Sequence, residues 1–162
     1  MIFVTVGTQL PFLRLIDAMA ALAGDLSEPV IAQAGPHSPE EAANWGSLDI
    51  RTHLAPAEFD RCFAEARVVV GHAGMGTVLS ARRHGKPVIL LPRRHELGEH
   101  RNDHQMATAR EVARLSGVHI AWTAKEIAPL LAQDLPAPEA AQDSPEKVAL
   151  VGRLRRFITE GS

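Results

Sequence analysis

Residues 67–91 read RVVVGHAGMGTVLSARRHGKPVILL, and the fold follows from this stretch. The β-branched run at 67–70 reads as a buried strand. Gly71, Gly74 and Gly76 follow in a turn at 71–76, and helical spacing takes over at 77–84. Gly85 sits where a helix C-terminal glycine belongs, and Pro87 forbids continuing. Residues 88–91 form the next strand. Strand, helix and strand in so short a span make a βαβ unit, which builds parallel sheets through right-handed crossovers.

The same alternation continues on both sides. Upstream, residues 2–6 form an apolar strand ending at Gly7, and Phe12, Leu15, Ile16, Met19 and Leu22 then recur at helical spacing. Strands are expected at 29–32 and 48–53, with a loose stretch at 35–49 between them. A helix is expected at 57–66, with Phe59 and Phe63 on one face. Downstream, a polar loop at 92–101 precedes a helix from about 102 carrying Met106, Ala109, Val112 and Ala113. A strand at 118–122 and a helix at 125–133 complete a domain over 1–133. Residues 134–143 read as a linker, and Ser144-Pro145 opens a terminal helix at 144–162 lined by Leu150, Leu154, Phe157 and Ile158. The fold class is α/β: a Rossmann-like, doubly wound parallel sheet with helices on both faces.

Composition removes several functions. At 162 residues the chain has the length of one domain. Seventeen Lys and Arg against nineteen Asp and Glu give −2, which argues against a nucleic-acid partner held by positive charge. Cys62 is the only cysteine, so an internal disulfide is impossible and a reducing, cytoplasmic compartment is the simpler reading. No apolar run reaches the roughly 20 residues of a membrane span, and no basic segment precedes the apolar start, as a signal peptide requires.

Three segments carry chemistry. Gly7, Thr8 and Gln9 lie between a strand and a helix, at the carboxyl edge where open parallel sheets bind ligands. The second segment, Gly71-His72-Ala73-Gly74-Met75-Gly76-Thr77, repeats that arrangement with three glycines. It offers backbone amides to an anion, or is simply a turn in which two glycines take positive φ. Leu79 stands where a dinucleotide fingerprint needs its third glycine, and the Gly-Lys-Ser/Thr of a Walker loop is absent, so neither NAD nor ATP is expected. The third segment, 93–105, has nine charged or histidine residues among thirteen. Arg93, Arg94 and Arg101 suit anions, whereas Asn102 and Gln105 also have the spacing of a capping box. His100 and His104 lie four apart but show no third metal ligand.

Taken together, FVTVGT at 3–8, GHAGMGT at 71–77, GKP at 85–87 and NDHQ at 102–105 form one ordered pattern. It resembles the C-terminal, nucleotide-sugar-binding half of glycosyltransferase family 28. It looks most like the short subunits of bacterial two-component exopolysaccharide glycosyltransferases. It is also similar to the catalytic subunit of the eukaryotic two-piece N-acetylglucosaminyltransferase acting on dolichol-linked oligosaccharides.

The resemblance implies half of a GT-B enzyme, inverting and metal-independent, with no cofactor and a UDP-sugar as donor substrate. It places Gly7, Thr8 and Gln9 at the diphosphate, with His72, Gly74, Met75, Gly76 and Thr77 at the phosphates from the other side. Ser80 stands where the family commonly has a carboxylate for the ribose hydroxyls, which forgoes a charge-assisted bond. Glu99 is a candidate to compensate. Asp103, His104 and Gln105, beside Asn102, match the signature that contacts sugar hydroxyls, and Thr108 stands where the family often has asparagine.

A half of this kind lacks the acceptor-side base. The expected partner is therefore a membrane-anchored subunit that binds a polyprenyl-diphosphate-linked glycan and holds this chain peripherally at the inner face of the membrane. Arg93, Arg94 and Arg101 suggest a uronate and make UDP-glucuronate the favoured donor. The alternative is a non-catalytic module that binds a nucleotide sugar or stabilises a partner.

Overall fold

A computed structural model describes residues 1–139 together with Ala149, Leu150, Gly152, Arg153 and Arg156. Its strands are β1 (Ile2–Thr5), β2 (Val30–Gln33), β3 (Asp49–Arg51), β4 (Val68–His72), β5 (Val88–Leu91) and β6 (Val118–Ile120). Between and after them run α1 (Leu13–Ala23), α2 (Pro39–Ala43), α3 (Pro56–Glu65), α4 (Met75–Arg83), α5 (His104–Val112) and α6 (Ile127–Leu131). All five strand pairings are parallel, in the order β3-β2-β1-β4-β5-β6. The order reverses between β1 and β4, so the crevice beyond their carboxyl ends is the topological switch point.

Strand alternation explains the layers. Ile2, Val4 and Val6 join Val68, Val70, Ile89 and Leu91 in a core covered by α1 and α6. Phe3, Val69, Val88 and Leu90 point the other way, into a core covered by α3, α4 and α5. Successive strand side chains face opposite sides, so a sheet buried on both reads as continuous apolar runs. Phe3 meets Phe59 and Phe63 edge-on, at ring distances of 5.7 and 5.3 Å.

Several local expectations change. Residues 35–49 hold α2, whose Ser38 and Glu41 make a reciprocal capping box, and the buried Trp45, whose indole donates to Asp17 at 2.7 Å. The loop after β5 contains one 3₁₀ turn, His95–Leu97. The helix expected at 125–133 is a 3₁₀ turn, Ala124–Glu126, running into the short α6. Helix α5 starts at His104 with no side-chain cap. The expected Asn102–Gln105 capping box is therefore absent: Asn102 Oδ1 accepts from the His104 amide, and Gln105 turns inward instead. The proposed terminal helix, and the linker beyond residue 139, lie mostly outside the described residues. Leu150 is buried within the same cluster as Phe3 and Phe63. Among the described residues no helix is long and apolar enough to cross a membrane.

Candidate functional site

Both glycine loops leave adjacent strands at the switch point, and the His72 side chain lies between them. A Cβ at Gly7 would stand 2.8 Å from the imidazole, and one at Gly74 would stand 2.2 Å from Nε2. A Cβ at Gly71 would meet the Thr77 methyl at 2.9 Å. Close approach therefore fixes Gly71 and Gly74, whereas a Cβ at Gly76 would meet open space. Gly7 takes φ +80°, but Gly71, Gly74 and Gly76 are not among the positive-φ glycines, which corrects the expectation of two such positions in that turn. Gly74 caps α4 in extended conformation, so the helix starts at Met75, two residues early, with Gly76 in its exposed first turn. Its unpaired N–H groups and dipole favour an anion there.

Burial holds the His72 imidazole down, to about 4, and the positive Arg93 guanidinium and His100 add to the effect. The ring is neutral at pH 7, and its Nδ1 lies 3.4 Å from the Thr77 hydroxyl. The unfolded imidazole titrates near 6.5, so between about pH 6.5 and 4 the unfolded chain binds a proton that the folded one refuses. Stability should fall as pH drops through that window, by up to about 1.4 kcal/mol per unit. Urea melts of His72→Gln should show a shallower slope there than wild type, and parallel slopes would refute this role for burial.

The loops frame a cavity of about 350 Å³ lined by Gly7, Thr8, Gln9, His72, Gly76, Thr77, Ser80, Arg93 and Gln105. Of the predicted site residues these nine converge. Gly74, the N-cap of α4, and Met75, its first residue, do not line this cavity. Glu99 and Arg101 line a neighbouring rim cavity that shares Gln9, Leu10 and His100 with the first. Asn102, Asp103 and His104 do not reach the cavity wall: Asn102 accepts from His100 Nδ1 at 3.0 Å, and Asp103 from the His95 amide at 3.1 Å. Among the described residues no group of three His, Cys, Asp or Glu is placed to hold a metal ion.

Two charged residues serve the scaffold. Arg93 is 2% exposed and donates to four backbone oxygens: Pro11 at 2.5 Å, Val6 and Leu10 at 2.8 Å each, and Glu99 at 3.4 Å. Its guanidinium also lies over the Phe12 ring at 4.6 Å. Burial lowers its pKa to about 10, against the pull of Glu99, so it stays charged. Glu99 receives a bidentate Arg14 at 2.6 and 2.8 Å and the Arg94 amide at 2.9 Å, which ties both of its oxygens to the scaffold. Arg94 donates to the Trp122 carbonyl and to Glu96. Of the three arginines suggested for a uronate, Arg101 alone stays exposed and clear of such bonds.

Gln105 is nearly buried and accepts the Arg93 amide at 3.1 Å through Oε1, which turns its NH2 toward the cavity. Thr5, Val6, Leu10, Gln33, Phe59 and His100 also line the wall and were not among the expected donor-binding residues. Thr5 and Gln33 carried a signal, being polar residues at the carboxyl ends of neighbouring apolar strands.

Residues 1–149 match the model of the glycosyltransferase family 28 C-terminal domain. The chain belongs to this family. The family 28 assignment is supported by a transferase of Rhodospirillum centenum, the UDP-N-acetylglucosamine–N-acetylmuramyl-(pentapeptide) pyrophosphoryl-undecaprenol N-acetylglucosamine transferase. It is 32% identical over 118 residues, 72% of this chain. The chain spans a quarter of that relative's length. Among solved structures, ALG13 superposes with TM-score 0.63 at 18% identity, covering 93% of this chain and 94% of that one. MurG of Acinetobacter baumannii gives 0.56 at 20% identity, covering 80% of this chain and 38% of that one. These two likenesses concern the fold: a family 28 domain built as the C-terminal half of a GT-B glycosyltransferase.

Proposed function

We propose that this family 28 domain is the donor-binding subunit of a two-component inverting glycosyltransferase, taking a sugar from a UDP-sugar to a polyprenyl-linked acceptor in exopolysaccharide synthesis. The observation that carries the reading is the meeting of the Gly7 and Gly74 loops over a neutral His72, with the α4 N-terminus facing the same cavity. Such a cradle suits a diphosphate, and its donors stabilise the charge that develops on departing UDP. The Rhodospirillum relative is named for a UDP-sugar donor and a pyrophosphoryl-undecaprenol acceptor, which agrees with both substrate classes. The acceptor hydroxyl must lose its proton to a base within hydrogen-bond reach. That base is assigned to a membrane-anchored partner subunit, which also brings this chain to the inner face of the membrane. No metal is required by the proposal, because backbone amides and helix ends supply the electrostatics.

Within this reading UDP-glucuronate is the favoured donor, now on Arg101 and its neighbour His100 at the rim. Arg101→Ala should weaken binding of UDP-glucuronate about tenfold, the loss of one charge-assisted carboxylate bond, and leave UDP-glucose within about twofold. Calorimetric titration without added metal checks this, and equal losses for both donors would remove the uronate preference. Transfer by the co-expressed pair that survives Thr77→Ala and Gln105→Ala would favour a non-catalytic partner-stabilising role.

A further inference from the structure

Gln33 is 3% exposed at the carboxyl end of β2 and lines the cavity. It pairs in register with Thr5, which pairs in turn with Gly71, so the three cross the sheet in one row. Two residues earlier, Phe3 and Ile31 face the α3–α4 side, and alternation puts Thr5 and Gln33 on that side too. Phe59 of α3 and Thr77 and Ser80 of α4 border the same cavity. Gly71 leaves its position in the row bare, and the Thr5 and Thr77 methyls both approach it.

The hydrogen bonds fix the orientation of the amide. The Gly7 N–H donates to Thr5 Oγ1 at 3.3 Å, which leaves the hydroxyl hydrogen to donate to Gln33 Oε1 at 2.8 Å. The Gln33 NH2 then points away from Thr5, and among the described residues it meets no protein acceptor. The residue is 3% exposed and its NH2 opens onto the cavity, where its two donors are available to an acceptor from outside the chain. On the same wall Ser80 replaces a carboxylate, and Glu99 is held by Arg14 and the Arg94 amide.

We propose that Gln33 recognises the ribose of the bound nucleotide, its NH2 donating to a ribose hydroxyl while Ser80 supplies the second contact. Gln33 and Ser80 together then replace the missing carboxylate, and the Thr5 hydroxyl positions the amide. The proposal rests on reading the cavity as a UDP-sugar site. The row Gln33–Thr5–Gly71 also links the ribose contact to the Gly7 loop, through the hydroxyl that holds the Gly7 amide.

Calorimetric titration of the full chain with UDP, 2′-deoxy-UDP and 3′-deoxy-UDP tests it. Wild type should bind UDP about tenfold tighter than at least one deoxy analogue, and Gln33→Met should erase that preference by losing only UDP affinity. A variant that keeps the wild-type ratio overturns the assignment while leaving the UDP site standing. Absence of UDP binding by wild type overturns both. Should Gln33→Met fail to fold, Gln33→Glu keeps the length and the acceptor for Thr5 but replaces the donating NH2. The wild-type comparison needs no variant at all, since equal affinity for UDP and both deoxy analogues also refutes the proposal.

Discussion

Gly7→Ala should destabilise the chain by about 2–4 kcal/mol and remove measurable UDP binding. Two costs combine at this position. The residue takes φ +80°, where a side chain costs about 1–2 kcal/mol. Its new methyl would also stand 2.8 Å from the His72 ring, an overlap of the kind that costs about 1–3 kcal/mol. Gly74→Ala separates the two, because φ at Gly74 is an ordinary −92° and only the overlap remains. Truncating the ring should therefore restore the stability of the Gly74→Ala chain in a His72→Ala/Gly74→Ala double variant, but restore Gly7→Ala only in part. Thermal melts with calorimetry of the three variants and their parents measure both terms. Full rescue of Gly7→Ala by His72→Ala would show that backbone conformation contributes nothing there.

The second large effect belongs to Arg93. Its guanidinium ties the loop after β1 to the loop after β5 through carbonyls of Val6, Leu10, Pro11 and Glu99. Arg93→Met keeps much of the apolar stem over Phe12 but leaves the buried Val6 carbonyl and three part-buried carbonyls without this donor. Each such group costs about 1–3 kcal/mol, non-additively, so a loss of about 3–5 kcal/mol is expected. Arg93→Lys should recover only part of it, since one ammonium cannot span the positions a planar fork reaches. Donor binding should weaken equally for acidic and neutral UDP-sugars, because the residue shapes the Gly7 loop without touching the sugar. Selective loss of UDP-glucuronate would instead make Arg93 a direct ligand of the uronate.

The contrast between these residues shows what sequence reading reaches. The βαβ unit at 67–91 was readable because its signals are local: an apolar run, glycines, helical spacing, and Pro87 before the next run. The parallel sheet followed from the same alternation, whereas the strand order that brings the two glycine loops together is seen only in the fold. The scaffold bonds of Arg93 were not legible because three of its four acceptors lie 82 to 87 residues away. Nothing beside it in the chain announces those carbonyls. The bond of Glu99 to Arg14 was hidden for the same reason, the two being 85 residues apart. Asn102 and Gln105 have the spacing of a cap, yet the Arg93 amide outcompetes it for Gln105, since a buried N–H must be satisfied. Gln33 lies just past the strand expected at 29–32, and its polar side chain becomes decisive once Thr5 is known to sit beside it in register.

The proposed function stands on two glycine loops meeting over His72 to hold the diphosphate of UDP. Titration of ¹⁵N-labelled chain with UDP, in the absence of metal, reads that contact through amide chemical shifts. Saturable shifts are expected at Gly7, Thr8, Gly76 and Thr77, with smaller ones at Gln33 and Ser80. Unmoved amides in both loops at millimolar UDP, or shifts gathered at the opposite edge of the sheet, would contradict it.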